Sequence, residues 1–104
     1  MINQVLNGNK VNTGVVNVLD TATLIRPANP RRVRLTVQNV GAAANHEITI
    51  GGPDVVNHQG VILGQGTAAN DGTGGLATTV SQGAVWGIAD TAATNLVWLE
   101  EVQE

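Results

Sequence analysis

The clearest pattern of apolar and polar positions lies between Arg31 and Asn39, where Val33, Leu35 and Val37 alternate with Arg32, Arg34, Thr36 and Gln38. Successive side chains of an extended chain point to opposite faces, so a period of two predicts a strand with one buried and one polar face. Residues 47–50 repeat the alternation, and residues 11–19 follow it less regularly. Residues 22–26, 60–63, 76–80, 84–89 and 95–102 read as further short strands. Turn chemistry separates them: Asp20-Thr21, Gly51-Gly52-Pro53 and Ser81-Gln82-Gly83, with Asn7-Gly8 as a type I′ hairpin signal. Pro27 and Pro30 bracket a rigid connection, because proline fixes φ and removes a ladder donor. Residues 54–59 read as loop, and residues 64–75, rich in Gly, Ala, Thr and Asn, as a long flexible one.

No stretch carries a helical apolar stripe of ten or more residues. The expectation is an all-β chain: an antiparallel β-sandwich or jelly-roll-like barrel of about eight short strands. Its 104 residues fit one domain spanning residues 1–104, with residues 1–11 as an extended N-terminal arm or added strand on a partner. The last two strands are apolar on both faces, with Trp86 and Ile88 opposite Val85, then Leu96 and Trp98 opposite Val97 and Leu99. A strand with one solvated face should not look like this, so either a loop or, in preference, a neighbouring subunit is expected over the second face.

Composition narrows the picture. Trp86 and Trp98 are the only aromatics, so Val, Ile, Leu and Ala must fill the core. Charged residues make up 12% of the chain, about half the usual share, which suits a surface packed against other subunits. A net charge of −3 argues against nucleic-acid binding by bulk electrostatics. There is no cysteine for a disulfide framework or thiolate metal site. Neither a signal-peptide core nor an apolar run of about 20 residues occurs, so a soluble product made in the cytoplasm, with no membrane partner, is expected.

Candidate chemistry is sparse. Gly64-Gln65-Gly66-Thr67-Ala68-Ala69 fits a dinucleotide fingerprint on paper, but Asn70-Asp71-Gly72-Thr73-Gly74-Gly75 would break the helix such a site needs. His46, Glu47, Asp54 and His58 lack metal-ligand spacing and read as loop polar groups. Ser81 is the only serine, and Glu100 and Glu101, being adjacent, point to opposite faces of a strand. No enzyme, cofactor or metal is expected. What remains is a group of arginines. Arg32 and Arg34, two apart, should project from one polar face with Arg31 beside them, and Arg26 joins them if residues 27–30 make a hairpin. Such a group takes phosphates or carboxylates, and arginine does so bidentately. The acidic C-terminal stretch from Glu100 to Glu104 offers carboxylates, within the subunit or across an interface. Bound nucleic acid would want stacking aromatics nearby, and none are near.

Arg32–Gly41, Ile48-Thr49-Ile50-Gly51, Gly60-Val61-Ile62-Leu63, Gly83-Ala84-Val85-Trp86-Gly87-Ile88-Ala89 and the Leu99-Glu100-Glu101 ending together resemble small β-sandwich virion proteins of tailed bacteriophages. The resemblance covers about 70 residues from Arg31 onward and rests on strand-and-turn motifs. It implies a structural role on a virion, most naturally as a capsid decoration (cement) protein. Such proteins are often trimeric and clamp the major capsid protein. In that role Arg26, Arg31, Arg32 and Arg34, with Trp86 and Trp98, would meet partners, and the loop 64–75 would fit against a neighbour. The alternative is a carbohydrate-binding or adhesion module of a fibre, which needs Trp86 or Trp98 exposed as a stacking platform.

Overall fold

Eight strands form where the alternation and turn signals place them, and the all-β expectation is borne out. The computed structural model describes residues 9–42, 46–67, 72–91 and 93–103. In chain order the strands are β1 (Asn9–Val18), β2 (Thr23–Arg26), β3 (Arg32–Asn39), β4 (Ile48–Gly51), β5 (Val61–Leu63), β6 (Leu76–Thr79), β7 (Val85–Ala89) and β8 (Thr94–Gln103). No helix occurs among the described residues.

Two four-stranded antiparallel sheets face each other, ordered β1-β8-β3-β6 and β2-β7-β4-β5. This is the jelly-roll arrangement, in which nearly every connection crosses from one sheet to the other. Asp20-Thr21 carries the chain out of the first sheet, and Thr23 Oγ1 fixes that corner by accepting from Leu19 N at 3.0 Å and donating to Thr21 O at 2.8 Å. Residues 27–30 bring it back, so β2 and β3 are not a hairpin. Within the described residues β4 and β5 alone are consecutive strands that pair.

Inward-facing residues of both sheets build the core: Val18, Leu35, Val37 and Leu96 from the first, Ile25, Ile48, Leu63, Val85 and Ala89 from the second. Val16, Ile50, Ala77 and Trp98 pack against them. With no Phe or Tyr, these aliphatics set a thin interior. β8 is its spine, paired with β1 over ten positions, from Asn9↔Gln103 to Val18↔Thr94, and with β3 on its other edge. Asn9, Lys10 and Val11 are therefore sheet residues rather than arm. The rest of the expected arm, with the Asn7-Gly8 signal, lies outside the described residues.

Residues 64–75 also differ from a flexible loop reaching outward. Their described ends are knitted to each other and to residues 39–41: Gly66 N donates to Gly41 O at 2.7 Å, Gly75 N to Gly64 O at 2.8 Å, and Asn39 N to Gly75 O at 2.9 Å. A Cβ on Gly74 would run into the Asn39 carbonyl, so glycine here lets two backbones touch. Residues 68–71 of the expected loop lie outside the described residues.

Gly14 serves the same purpose toward a side chain. It pairs with Trp98 across β1 and β8, and a Cβ there would overlap the indole ring. Gly14→Ala should destabilise the fold by about 1–3 kcal/mol through overpacking. Urea denaturation followed by tryptophan fluorescence will show this as a lower midpoint with an altered native-state emission.

Candidate assembly surface

The arginines separate rather than forming one face. β3 is bulged: Arg32 lies opposite Val102 and Arg34 opposite Glu101, so two steps on β3 match one step on β8, with Val33 the extra residue. A one-residue insertion turns the preceding side chain to the other face. Arg32 therefore points between the sheets with Leu35, Val37 and Asn39, while Arg34 points outward. The expectation that Arg32 and Arg34 share a polar face is overturned by this bulge.

Arg32 is buried, at 2% exposure, and all three guanidinium nitrogens donate hydrogen bonds. Nε donates to Glu100 Oε2 at 2.9 Å, Nη1 to Ser81 O at 3.0 Å and to Gly83 O at 2.8 Å, and Nη2 to Pro27 O at 2.7 Å. Glu100, 1% exposed, takes Arg26 Nη2 on its other oxygen at 3.0 Å. The Arg26 guanidinium in turn lies 4.1 Å above the Trp98 ring, a cation–π geometry. One carboxylate on β8 thus ties together β2, β3, β8 and the turn 81–83. Burial by itself would raise the Glu100 pKa, but hydrogen bonds and charge from Arg32 and Arg26 outweigh it and hold the carboxyl below its ordinary value of 4.5.

The remaining candidates are peripheral. Arg31 Nε donates to Gln103 O at 3.0 Å and ties down the end of β8. Arg34 Nε pairs with Glu101 Oε2 at 2.9 Å on the surface, where such a pair contributes about 0–1 kcal/mol. Trp86 is half-buried on the outer face of the second sheet, between Leu24 and Gly51. Trp98 is half-buried between Gly14 and Arg26. Neither tryptophan stands free as a stacking platform.

The outer face of the first sheet is a different surface. Register aligns its outward side chains in rows across the strands: Thr13, Leu99, Thr36, Thr78, then Val15, Val97, Gln38, Leu76. Val15 is 63% exposed and Leu76 60%. The rows line a shallow depression of about 430 Å³. Thr36 and Thr78 hydroxyls bond each other at 3.1 Å. The Arg34–Glu101 pair bounds the rows on one side and an Asn17–Asn95 amide bond of 2.9 Å on the other. The rows themselves carry no charge. Beside them β1 forms a ten-residue sheet edge on which Lys10 is the only charged residue, a form of edge open to strand pairing.

A second polar group sits at the second sheet, where β4 begins and β7 ends. His58 Nε2 lies 3.1 Å from Glu47 Oε1 and 3.9 Å from Asp90 Oδ2. Asn57 Nδ2 donates to Asp90 Oδ1 at 2.7 Å. Of the four loop residues weighed from the sequence, the fold joins Glu47 and His58, leaves His46 and Asp54 out of the group, and adds Asp90. Sequence reasoning missed Asp90 because only the pairing of Ile48 with Ala89 sets it opposite Glu47.

Removing one partner of a buried pair strands the other's charge, so Glu100→Gln should cost about 3–5 kcal/mol, measurable as a lower urea midpoint. Because the folded-state pKa of Glu100 is depressed, its contribution is present above pH 4.5 and is lost as pH falls through the folded value. Acid titration of stability should show this drop in the native protein and a smaller one in Glu100→Gln.

No family model matches this chain, and no curated protein does. A solved structure described as "Bacillus endospore appendages form a novel family of disulfide-linked pili" is similar in fold, with a TM-score of 0.52 and 15% sequence identity, over 93% of this chain and 92% of that one.

Proposed function

We propose that this protein is a structural subunit of a tailed-phage particle, a capsid decoration protein that seats the outer face of its first sheet on the major capsid protein and works as an oligomer, with a trimer favoured. The observation that carries this reading is that neutral face: two uncharged rows of side chains, more than half exposed at Val15 and Leu76, framed by polar pairs that satisfy each other. Exposed apolar patches with a polar rim mark contact sites. With its rim charges already paired, the face suits a partner surface that is itself neutral. The sequence resemblance supplies the particle. The ordering of the arginines supports the same reading from the other side, because the cations most suited to a charged ligand are consumed inside the fold.

The fold neighbour favours a second reading, a filament built from copies of this chain alone. The neighbour is described as disulfide-linked, whereas this chain has no cysteine, so its contacts would be non-covalent throughout.

Val15→Asp with Leu76→Asp tests the proposal, since both side chains are exposed and the fold should survive. Attachment to shells assembled from the major capsid protein should fall by at least about tenfold, a loss of about 1.4 kcal/mol, with the urea midpoint unchanged. Unaltered attachment would remove the face from the argument. Long polymers of the purified wild-type protein by light scattering, with no affinity for shells, would replace the capsid reading with the filament.

A further inference from the structure

We propose that Glu47, His58 and Asp90 form a site for a divalent transition-metal ion, Zn²⁺ in preference to Mg²⁺ or Ca²⁺. The site is independent of the capsid proposal. One imidazole nitrogen and two carboxylate oxygens converge from three segments of the chain, all within 4.8 Å of one another. That donor set suits a borderline cation better than a hard one that prefers oxygen alone. Ligands bonded tetrahedrally to zinc at about 2.0–2.2 Å lie about 3.4 Å apart. The His58–Glu47 separation of 3.1 Å and the His58–Asp90 separation of 3.9 Å bracket that value. The Glu47 and Asp90 oxygens lie within 4.8 Å of each other, so the site closes chiefly by movement of the half-exposed Glu47 and His58 side chains toward the more buried Asp90.

Four features hold the donors in place. Glu47 and Asp90 flank paired strands, and Asp90 N donates to Glu47 O at 2.9 Å. His58 N donates to Oγ1 of the buried Thr49 at 3.0 Å. Among the described non-glycine residues His58 alone has positive φ, at 66°, a conformation that is costly for a residue with a Cβ and that the loop nevertheless maintains. Asn57 occupies Asp90 Oδ1 and leaves Oδ2 turned toward His58, so its amide would orient the carboxylate for ligation. No Lys or Arg ion pair neutralises Glu47 or Asp90 among the described residues. The half-exposed imidazole leaves a fourth coordination position to water or to a side chain from a neighbour. A bound ion would pin the β4–β5 loop to the end of β7.

Calorimetric titration of the tag-free protein with Zn²⁺, in a buffer that does not chelate it, tests the site, with Co²⁺ absorption as the readout of coordination geometry. Saturable binding of one ion per chain is expected, unaffected by excess Mg²⁺, with the visible bands of four-coordinate Co²⁺. His58→Asn, which tolerates the same backbone conformation, and Asp90→Asn should each weaken binding by at least about tenfold, and Asn57→Ala by about 10–100-fold. Urea midpoints of the variants show that each is folded. His46→Ala should bind as the wild type does. Absence of saturable binding, retention of full affinity in His58→Asn, or loss of binding in His46→Ala would overturn the proposal.

Discussion

The jelly roll depends on a salt bridge that has no access to water. Arg32 and Glu100 lie between two sheets whose other inward side chains are small aliphatics. Taking two charges out of water costs several kcal/mol per ion unless every donor and lone pair finds a partner. Here the fold itself meets most of that demand, with four of the five Arg32 N–H groups and both Glu100 oxygens partnered. Arg32 reaches carbonyls of Pro27, Ser81 and Gly83, which belong to two connections between the sheets. Those carbonyls would otherwise lack ladder partners, and Arg32 would otherwise lack acceptors. Chain crossings and charge therefore satisfy each other.

This explains why a core lacking Phe and Tyr closes. Between thin aliphatic layers the Arg32 stem, Glu100, and the Arg26–Trp98 stack supply volume that large aromatics would supply elsewhere. A hydrophobic replacement of similar shape can match such a pair in stability, and the best-attested use of buried ions is to fix register. In this chain register is the point at risk. β3 has a plausible unbulged pairing in which Val33 faces inward and both arginines face out. Only the bulged pairing delivers Arg32 to Glu100.

That same bulge marks the limit of what the sequence discloses. The alternation of β3 predicts the strand and the burial of Leu35 and Val37 correctly, and its turn residues delimit it well. The facing of Arg32 is invisible, because it depends on an insertion relative to β8, some 65 residues away. The glycines tell a similar story. Gly74 looks like flexibility in one dimension, whereas in three it is the clearance for the Asn39 carbonyl. Glu100 and Glu101 are readable as opposite-facing from adjacency alone, and that inference holds: Glu100 is interior and Glu101 pairs with Arg34 outside. Asp90 shows the general rule. Local patterns carry strand identity, while a group such as Glu47, His58 and Asp90 exists only once β4 and β7 have paired.

The distribution of charge then constrains how the protein meets anything else. Of five cations, Arg32 is consumed inside, Arg26 is committed to Glu100 and Trp98, Arg31 closes the end of β8, Arg34 has Glu101, and Lys10 stands exposed near the start of the β1 edge. A partner of the first sheet therefore meets threonine, valine, leucine and amide groups. Contacts of that kind gain little from electrostatic steering and depend on area and fit. One weak neutral patch per subunit becomes firm attachment when several subunits engage at once, because each further contact forms at a high effective concentration. The proposed decoration role, with its repeating lattice of sites, would meet that requirement. The ends of the sandwich, where Glu47, His58 and Asp90 lie, retain the polar chemistry that its faces lack.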